Sequence, residues 1–186
     1  APEAHAEPTA APQTPMDSDA FPALPQLGQS EGLPANGHLH GATRLPSGEG
    51  RIVRNPDTAF GTRDTIRHLD AALATLHRKH PRAHRVLVGD LSLEVGGHIR
   101  GHVSHQSGRD VDVGFLYRER SAPGVRMFQD ATRDNLNFRA TFTLLRALAG
   151  RYRLASVTNG NSDVARTPLR GLFDLSLTAS EVGAAK

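Results

Sequence analysis

Apolar residues recur at three- and four-residue steps in two places along the chain. Ile66, Leu69, Leu73 and Leu76 form one stripe. It predicts an amphipathic helix from Asp64, a suitable N-cap, to about Lys79, with Pro81 as its stop. Phe138, Phe142, Leu145 and Leu148 form the second, predicting a helix from Leu136 or Asn137 to Ala149 with Gly150 as C-cap. Between them, RVLVGDL at residues 85 to 91 is a short apolar run ending in Gly-Asp, the pattern of a buried strand that delivers a polar residue at its end. Arg51 to Arg54 reads as an edge strand, and Arg153 to Val157 as a further strand. DVDVGF, residues 110 to 115, alternates acidic and apolar positions, so as a strand it would turn Asp110 and Asp112 to one side.

The remaining stretches set the boundaries. Residues 1 to about 35 are rich in Ala, Pro and Glu with few large apolar side chains, which reads as a disordered linker unable to offset its own conformational entropy. Residues 36 to 62 are dense in Gly and Pro, implying turns and short strands. Residues 158 to 186 hold turn signals, a small apolar patch at Leu172-Phe173 and a small-residue tail, a poorly patterned end to a core. At 186 residues the chain suits one domain. The expectation is an α+β domain from residue 36 to residue 186, in which a small, mainly antiparallel sheet carries the site and two helices pack against it.

Composition narrows the chemistry. The absence of cysteine excludes disulfides, thiolate metal sites and a Cys nucleophile. No apolar run reaches the roughly 18 residues of a membrane span. The chain starts at Ala1 without Met or a signal-like core, as a chain with its signal peptide already removed would. A net charge of +3 favours anionic partners only weakly. With two Tyr, no Trp and no concentrated basic helix, nucleic acid is not expected as a partner. No G-x-S-x-G elbow, P-loop or HExxH helix occurs.

The candidate chemistry lies in HIRGHVSHQSGRDVDVGF, residues 98 to 115. His98, His102 and His105 stand at four- and three-residue spacing before Asp110 and Asp112. Gly108 allows a sharp turn between His105 and the acidic segment. Zinc takes imidazole nitrogen and carboxylate oxygen, and a catalytic zinc needs about three protein ligands and an open position. A solvated histidine cluster is the competing reading. Asp90 has two readings: an Asx turn into Leu91-Ser92, which is preferred, or a carboxylate that orients a ligand histidine. His38 and His40 read as surface histidines, and His68, His77 and His80 as helix-end groups facing solvent. Arg118, Arg120 and Arg126 are candidates for pairing with a substrate carboxylate.

GHVSHQSGRDVDVGF resembles the signature of the penicillin-insensitive murein endopeptidases, zinc peptidases related to the lysostaphin and D-Ala-D-Ala carboxypeptidase group. SEGLPANGHLHGATRLPSGEGRIVRNPDTAFGT and VLVGDLSLEVGG are similar to the segments that precede that signature, so the resemblance covers roughly residues 30 to 150. It implies that His105 and Asp112 bind Zn2+ and that His102 is a ligand or lies beside the metal. It also implies the sheet topology and a zinc-dependent endopeptidase cutting peptidoglycan cross-links in the periplasm or as a secreted protein.

In the family a late His-x-His pair supplies a third ligand and an acid-base group. No histidine follows His105 here. Three explanations stand: a domain incomplete at its C-terminal end; His102 as a compensating ligand with Asp110 or a water as base; or a relative that binds wall peptide without cutting it.

Overall fold

The computed structural model describes residues 28–118, 127–150, 152–158 and 171–178. In chain order they form β1 (Gln29–Leu33), β2 (Asn36–His40), β3 (Thr43–Arg44), β4 (Arg51–Val53), a 3-10 turn (Pro56–Thr58), β5 (Phe60–Gly61), α1 (Arg63–Lys79), β6 (Val86–Val88), α2 (Phe138–Ala149), β7 (Ala155–Thr158) and β8 (Leu175–Thr178). The architecture is mixed α+β, with two helices and small sheets. The expected turn at Pro123-Gly124, and Arg120 and Arg126, lie outside the described residues.

The apolar stripe of α1 is buried as its periodicity requires: Ile66, Leu69, Leu73 and Leu76 all face inward, joined by Thr65 and Ala72. Its N-cap is Thr62, not Asp64. Thr62 has extended backbone angles and its hydroxyl accepts from Thr65 N at 3.1 Å. Asp64 instead sits in the first turn and pairs with Arg67 at 3.0 Å. In α2, Asn137 caps Ala140 N at 3.2 Å. The buried face runs through Ala140, Thr141, Leu144, Leu145 and Leu148. Phe138 and Phe142 stack at its margin, half-buried, with ring centroids 6.3 Å apart. Gly150 closes the helix at φ −66°, in the right-handed region, so the left-handed cap is not used.

α1 and α2 pack on each other, and Val86 and Val88 of β6, whose three residues are all buried, join the same core. Leu172 and Phe173 close over the same core. A fully buried leucine of this core, such as Leu69 or Leu76, contributes about 1.5–3 kcal/mol by leaving water.

The strands pair two by two. β1–β2 and β3–β5 are antiparallel, whereas β4–β6 and β7–β8 are parallel. Among the described residues there is no single, mainly antiparallel sheet of the kind expected. β4 and β6 run parallel because α1 lies between them as a crossover that returns the chain in the same direction. DVDVGF forms no full strand. It is an extended stretch bonded antiparallel to the end of β6, through Gly89 N to Asp112 O at 2.8 Å, Asp112 N to Asp90 O at 3.1 Å and Gly114 N to Leu87 O at 2.8 Å.

β1 lies inside the stretch read as linker. It is ordered as one arm of a hairpin whose tip is the two-residue Pro34-Ala35 turn. Composition understated this arm because β1 buries little of its own surface and is held by its ladder to β2. β2 alternates strictly, with Gly37 and Leu39 inward and Asn36, His38 and His40 outward.

Candidate metal centre

The site lies on an irregular loop, residues 98 to 110, between β6 and the extended acidic segment. Backbone bonds pin it at intervals: Gly97 N to Gln106 O at 2.9 Å, Gln106 N to Pro34 O at 2.9 Å, and Thr62 N to Gly108 O at 3.1 Å. The loop is therefore stapled to the β1–β2 tip and to the start of α1. Gly108 has φ +66°, and a Cβ there would meet Leu39 Cδ2 at 2.7 Å and Gly61 Cα at 3.0 Å. Only glycine fits that turn. His105 has φ +67° and is the one residue other than glycine with positive φ among the described residues. Such a conformation costs of order 1–3 kcal/mol and persists where surrounding contacts over-determine it.

Those contacts are carboxylates. The buried His105 ring has Nε2 3.3 Å from Asp112 Oδ1 and Nδ1 3.1 Å from Asp110 Oδ2. The His105 backbone N–H donates to the same Asp110 oxygen at 3.1 Å. The Nδ1 contact lacks hydrogen-bond alignment, and Nδ1 and Asp110 Oδ1 are both enclosed with no hydrogen-bond partner among the described residues. Burial works against a charged His105. The contact with Asp112 and the charges of Asp112, Asp110 and Asp90 outweigh it, holding the imidazole pKa above its ordinary 6.5.

His102 is half-buried beside it, the two rings 5.4 Å apart at 76°. One donor atom each from His102, His105 and Asp112 lies within 4.8 Å of the others, a spacing that one metal ion could bridge. The structure thus brings these three together and leaves His98 exposed.

Asp90 does not form the preferred Asx turn. Its side chain is buried, and its carboxylate accepts from Thr58 Oγ1 at 2.5 Å and from Arg54, with His102 Nε2 3.3 Å away. Arg54 in turn lies over the Phe128 ring, 5.3 Å from its centroid. Arg54, Thr58 and Phe128 were not singled out from the sequence. The signal available was the polar residue closing an apolar run, which marks Asp90 but not its partners.

The other histidines lie elsewhere. His38 and His40 are exposed on β2, His40 pairing with Glu31 at 3.2 Å. His77 and His80 are not simply solvated: they contact Gly50 O at 3.0 Å and Thr143 Oγ1 at 2.9 Å, tying the end of α1 to its neighbours. His68 meets the edge of Tyr152. Arg118 is exposed.

Comparison with known proteins finds relatives of the chain. The chain is 35% identical over 105 residues to a penicillin-insensitive murein endopeptidase of Salmonella arizonae, covering 54% of this chain and 37% of that protein. It is 37% identical over 89 residues to the proteins of the same name from Yersinia pestis and Klebsiella pneumoniae, covering 46% of this chain and 32% of each. The chain spans about a third of the length of these relatives. The family model described as penicillin-insensitive murein endopeptidase matches residues 30–147, which include α1, most of α2 and every residue of the histidine and carboxylate cluster. The chain belongs to the penicillin-insensitive murein endopeptidase family.

Proposed function

We propose that this chain is a zinc-dependent endopeptidase that hydrolyses peptide cross-links of peptidoglycan in the periplasm or outside the cell. His105 and Asp112 are the ligands in this reading, and His102 is the third donor. The observation that carries it is the facing pair His105 Nε2 and Asp112 Oδ1, 3.3 Å apart. In the neutral imidazole whose Nδ1 bears the hydrogen, these two atoms are both lone-pair bearers, and they need a proton or a cation between them. A tetrahedral ion with ligand bonds of about 2.0–2.2 Å sets its donor atoms about 3.3–3.6 Å apart, so the pair has the span of one edge of a zinc site.

Bound zinc would lower the pKa of a water toward about 7 and polarise the scissile carbonyl. The protein's own residues set the stage for that chemistry. Asp110 accepts from the His105 backbone N–H and so holds the residue in place, with its ring turned so that Nε2 faces Asp112. Its other oxygen is enclosed, so Asp110 serves to orient His105 rather than to accept a proton from an attacking water. Asp112 is partly exposed, which leaves the cluster open to a substrate. Among the described residues no helix is long and apolar enough to cross a membrane.

Elemental analysis of the purified protein beside His105→Ala tests this reading. About one zinc per chain, lost in the variant, is expected, followed by release of cross-linked peptide from muropeptides. Zinc in neither sample would overturn it. In a second reading the domain is a catalytically impaired relative that binds wall peptide, and it would co-sediment with sacculi while releasing no product.

A further inference from the structure

We infer that Asp90 is a positioning residue for His102, holding its ring so that Nε2 carries the proton and Nδ1 presents the lone pair to a cation. The inference rests on the reading above in one respect, that His102 faces a metal ion.

The carboxylate of Asp90 is 3% exposed, and three groups converge on it. Thr58 Oγ1 donates to Oδ1, while the Arg54 guanidinium and His102 Nε2 both approach Oδ2. Thr58 and Arg54 both donate to the carboxylate, whose two oxygens act as acceptors. His102 Nε2 stands 3.3 Å from one of those acceptors without full hydrogen-bond alignment, and we assign it the hydrogen, leaving Nδ1 as the lone-pair nitrogen. Burying a carboxylate is unfavourable unless its lone pairs are matched. A simple turn would not require a guanidinium and a buried hydroxyl to match them.

The carboxylate cannot drift. Leu91 N and Ser92 N both donate to Thr58 O, at 2.8 and 3.1 Å, so the 3-10 turn is docked onto the chain that follows Asp90. Asp112 N donates to Asp90 O at 3.1 Å. The same residue therefore registers one donor of the cluster through its backbone and another through its side chain. The two histidines are backed in opposite senses: Asp110 stands behind Nδ1 of His105, and Asp90 behind Nε2 of His102. Carboxylates in this relation to a ligand histidine typically change metal affinity by about 10–100-fold when removed.

The test compares zinc affinity, by chelator competition, in the full chain, Asp90→Asn and Asp57→Asn. Asp57 is exposed in the neighbouring 3-10 turn, so its variant controls for the loss of one nearby charge. Asp90→Asn is expected to weaken zinc binding about 10–100-fold, with Asp57→Asn unchanged. An equal effect of both variants, or none from Asp90→Asn, overturns the inference.

A second readout needs no metal. Long-range proton–nitrogen NMR of the metal-free chain at alkaline pH, with His102 assigned through His102→Gln, should show the Nε2–H form with that proton protected from exchange. Protection should vanish in Asp90→Asn. A His102 protonated on Nδ1 in the unaltered chain overturns the inference even if Asp90→Asn fails to fold. Absence of zinc uptake with a protected Nε2–H would sink the metal reading while leaving the positioning of His102 by Asp90 intact.

Discussion

The buried face of α1 consists of Ile66, Leu69, Ala72, Leu73 and Leu76 with one threonine. Between His98 and Asp110, by contrast, the chain forms no helix or strand, and its enclosed side chains include His105 and Ser107. One region is ordered by non-directional burial that repeats every turn. The other is ordered by a few directional contacts, each used once: a glycine that fits against Leu39, a backbone staple to Pro34, and carboxylates set against imidazoles. The helical core can lose a methylene and keep its shape at some cost in stability. The loop has little apolar stabilisation to lose but depends on geometry, so its errors should appear in metal affinity first.

That contrast can be broken most sharply in α1. Leu69→Ala, at a fully buried position, is expected to cost about 2–5 kcal/mol in denaturant unfolding. Zinc bound per folded chain should stay unchanged. A loss of zinc sites at full folding would mean that core and loop are not separate.

Gly108→Ala attacks the joint between the two regions. It combines a positive φ with a collision against Leu39 and Gly61, and should cost about 1–3 kcal/mol. Unlike Leu69→Ala, it should also weaken zinc binding, because the turn aims Asp110 and Asp112.

Thr62→Ala removes the cap of α1 and should cost about 1 kcal/mol by thermal or denaturant unfolding, with no change in zinc affinity.

His105→Gly should move the stability of the metal-free protein least, within about 1 kcal/mol, because relief of the positive φ offsets the lost carboxylate contacts. Zinc uptake should nevertheless disappear. A loss of several kcal/mol would mean that the loop is as much core as α1.

The pH dependence of that last pair sharpens the point. Folding raises the His105 pKa above 6.5. In the metal-free protein its stabilising contribution is therefore complete below about 6.5 and lost as pH rises through the higher folded value. The stability difference between the unaltered chain and His105→Gly should shift accordingly across that window. Zinc affinity should move the other way, falling as pH drops through the same folded value, since a ligand imidazole must be neutral. Denaturation and zinc titrations in a pH series check both signs.

Much of this was legible in advance. The two helices follow from i, i+3, i+4 spacing alone, and their ends were placed to within a residue or two. The N-cap of α1 was misassigned to Asp64 and is Thr62, two residues earlier, whose extended backbone angles let its hydroxyl accept from Thr65 N. The histidine and aspartate cluster was legible because its members lie within eleven residues of one another, and its resemblance to the murein endopeptidase signature identified the family. His38 and His40, read as surface histidines, are exposed on β2.

Local pattern thus determined which segments are helical, which faces they bury, and which short motif holds the candidate ligands. Tertiary structure alone decided the parallel pairing of β4 with β6 and the convergence of Arg54 and Thr58, 36 and 32 residues away, on Asp90. It also decided that β1 is ordered rather than linker. The physical reason is range: periodicity records how a segment meets water over one or two turns. The partner of a buried charge is set by where distant loops come to rest, through one or two hydrogen bonds that leave no repeat in the sequence.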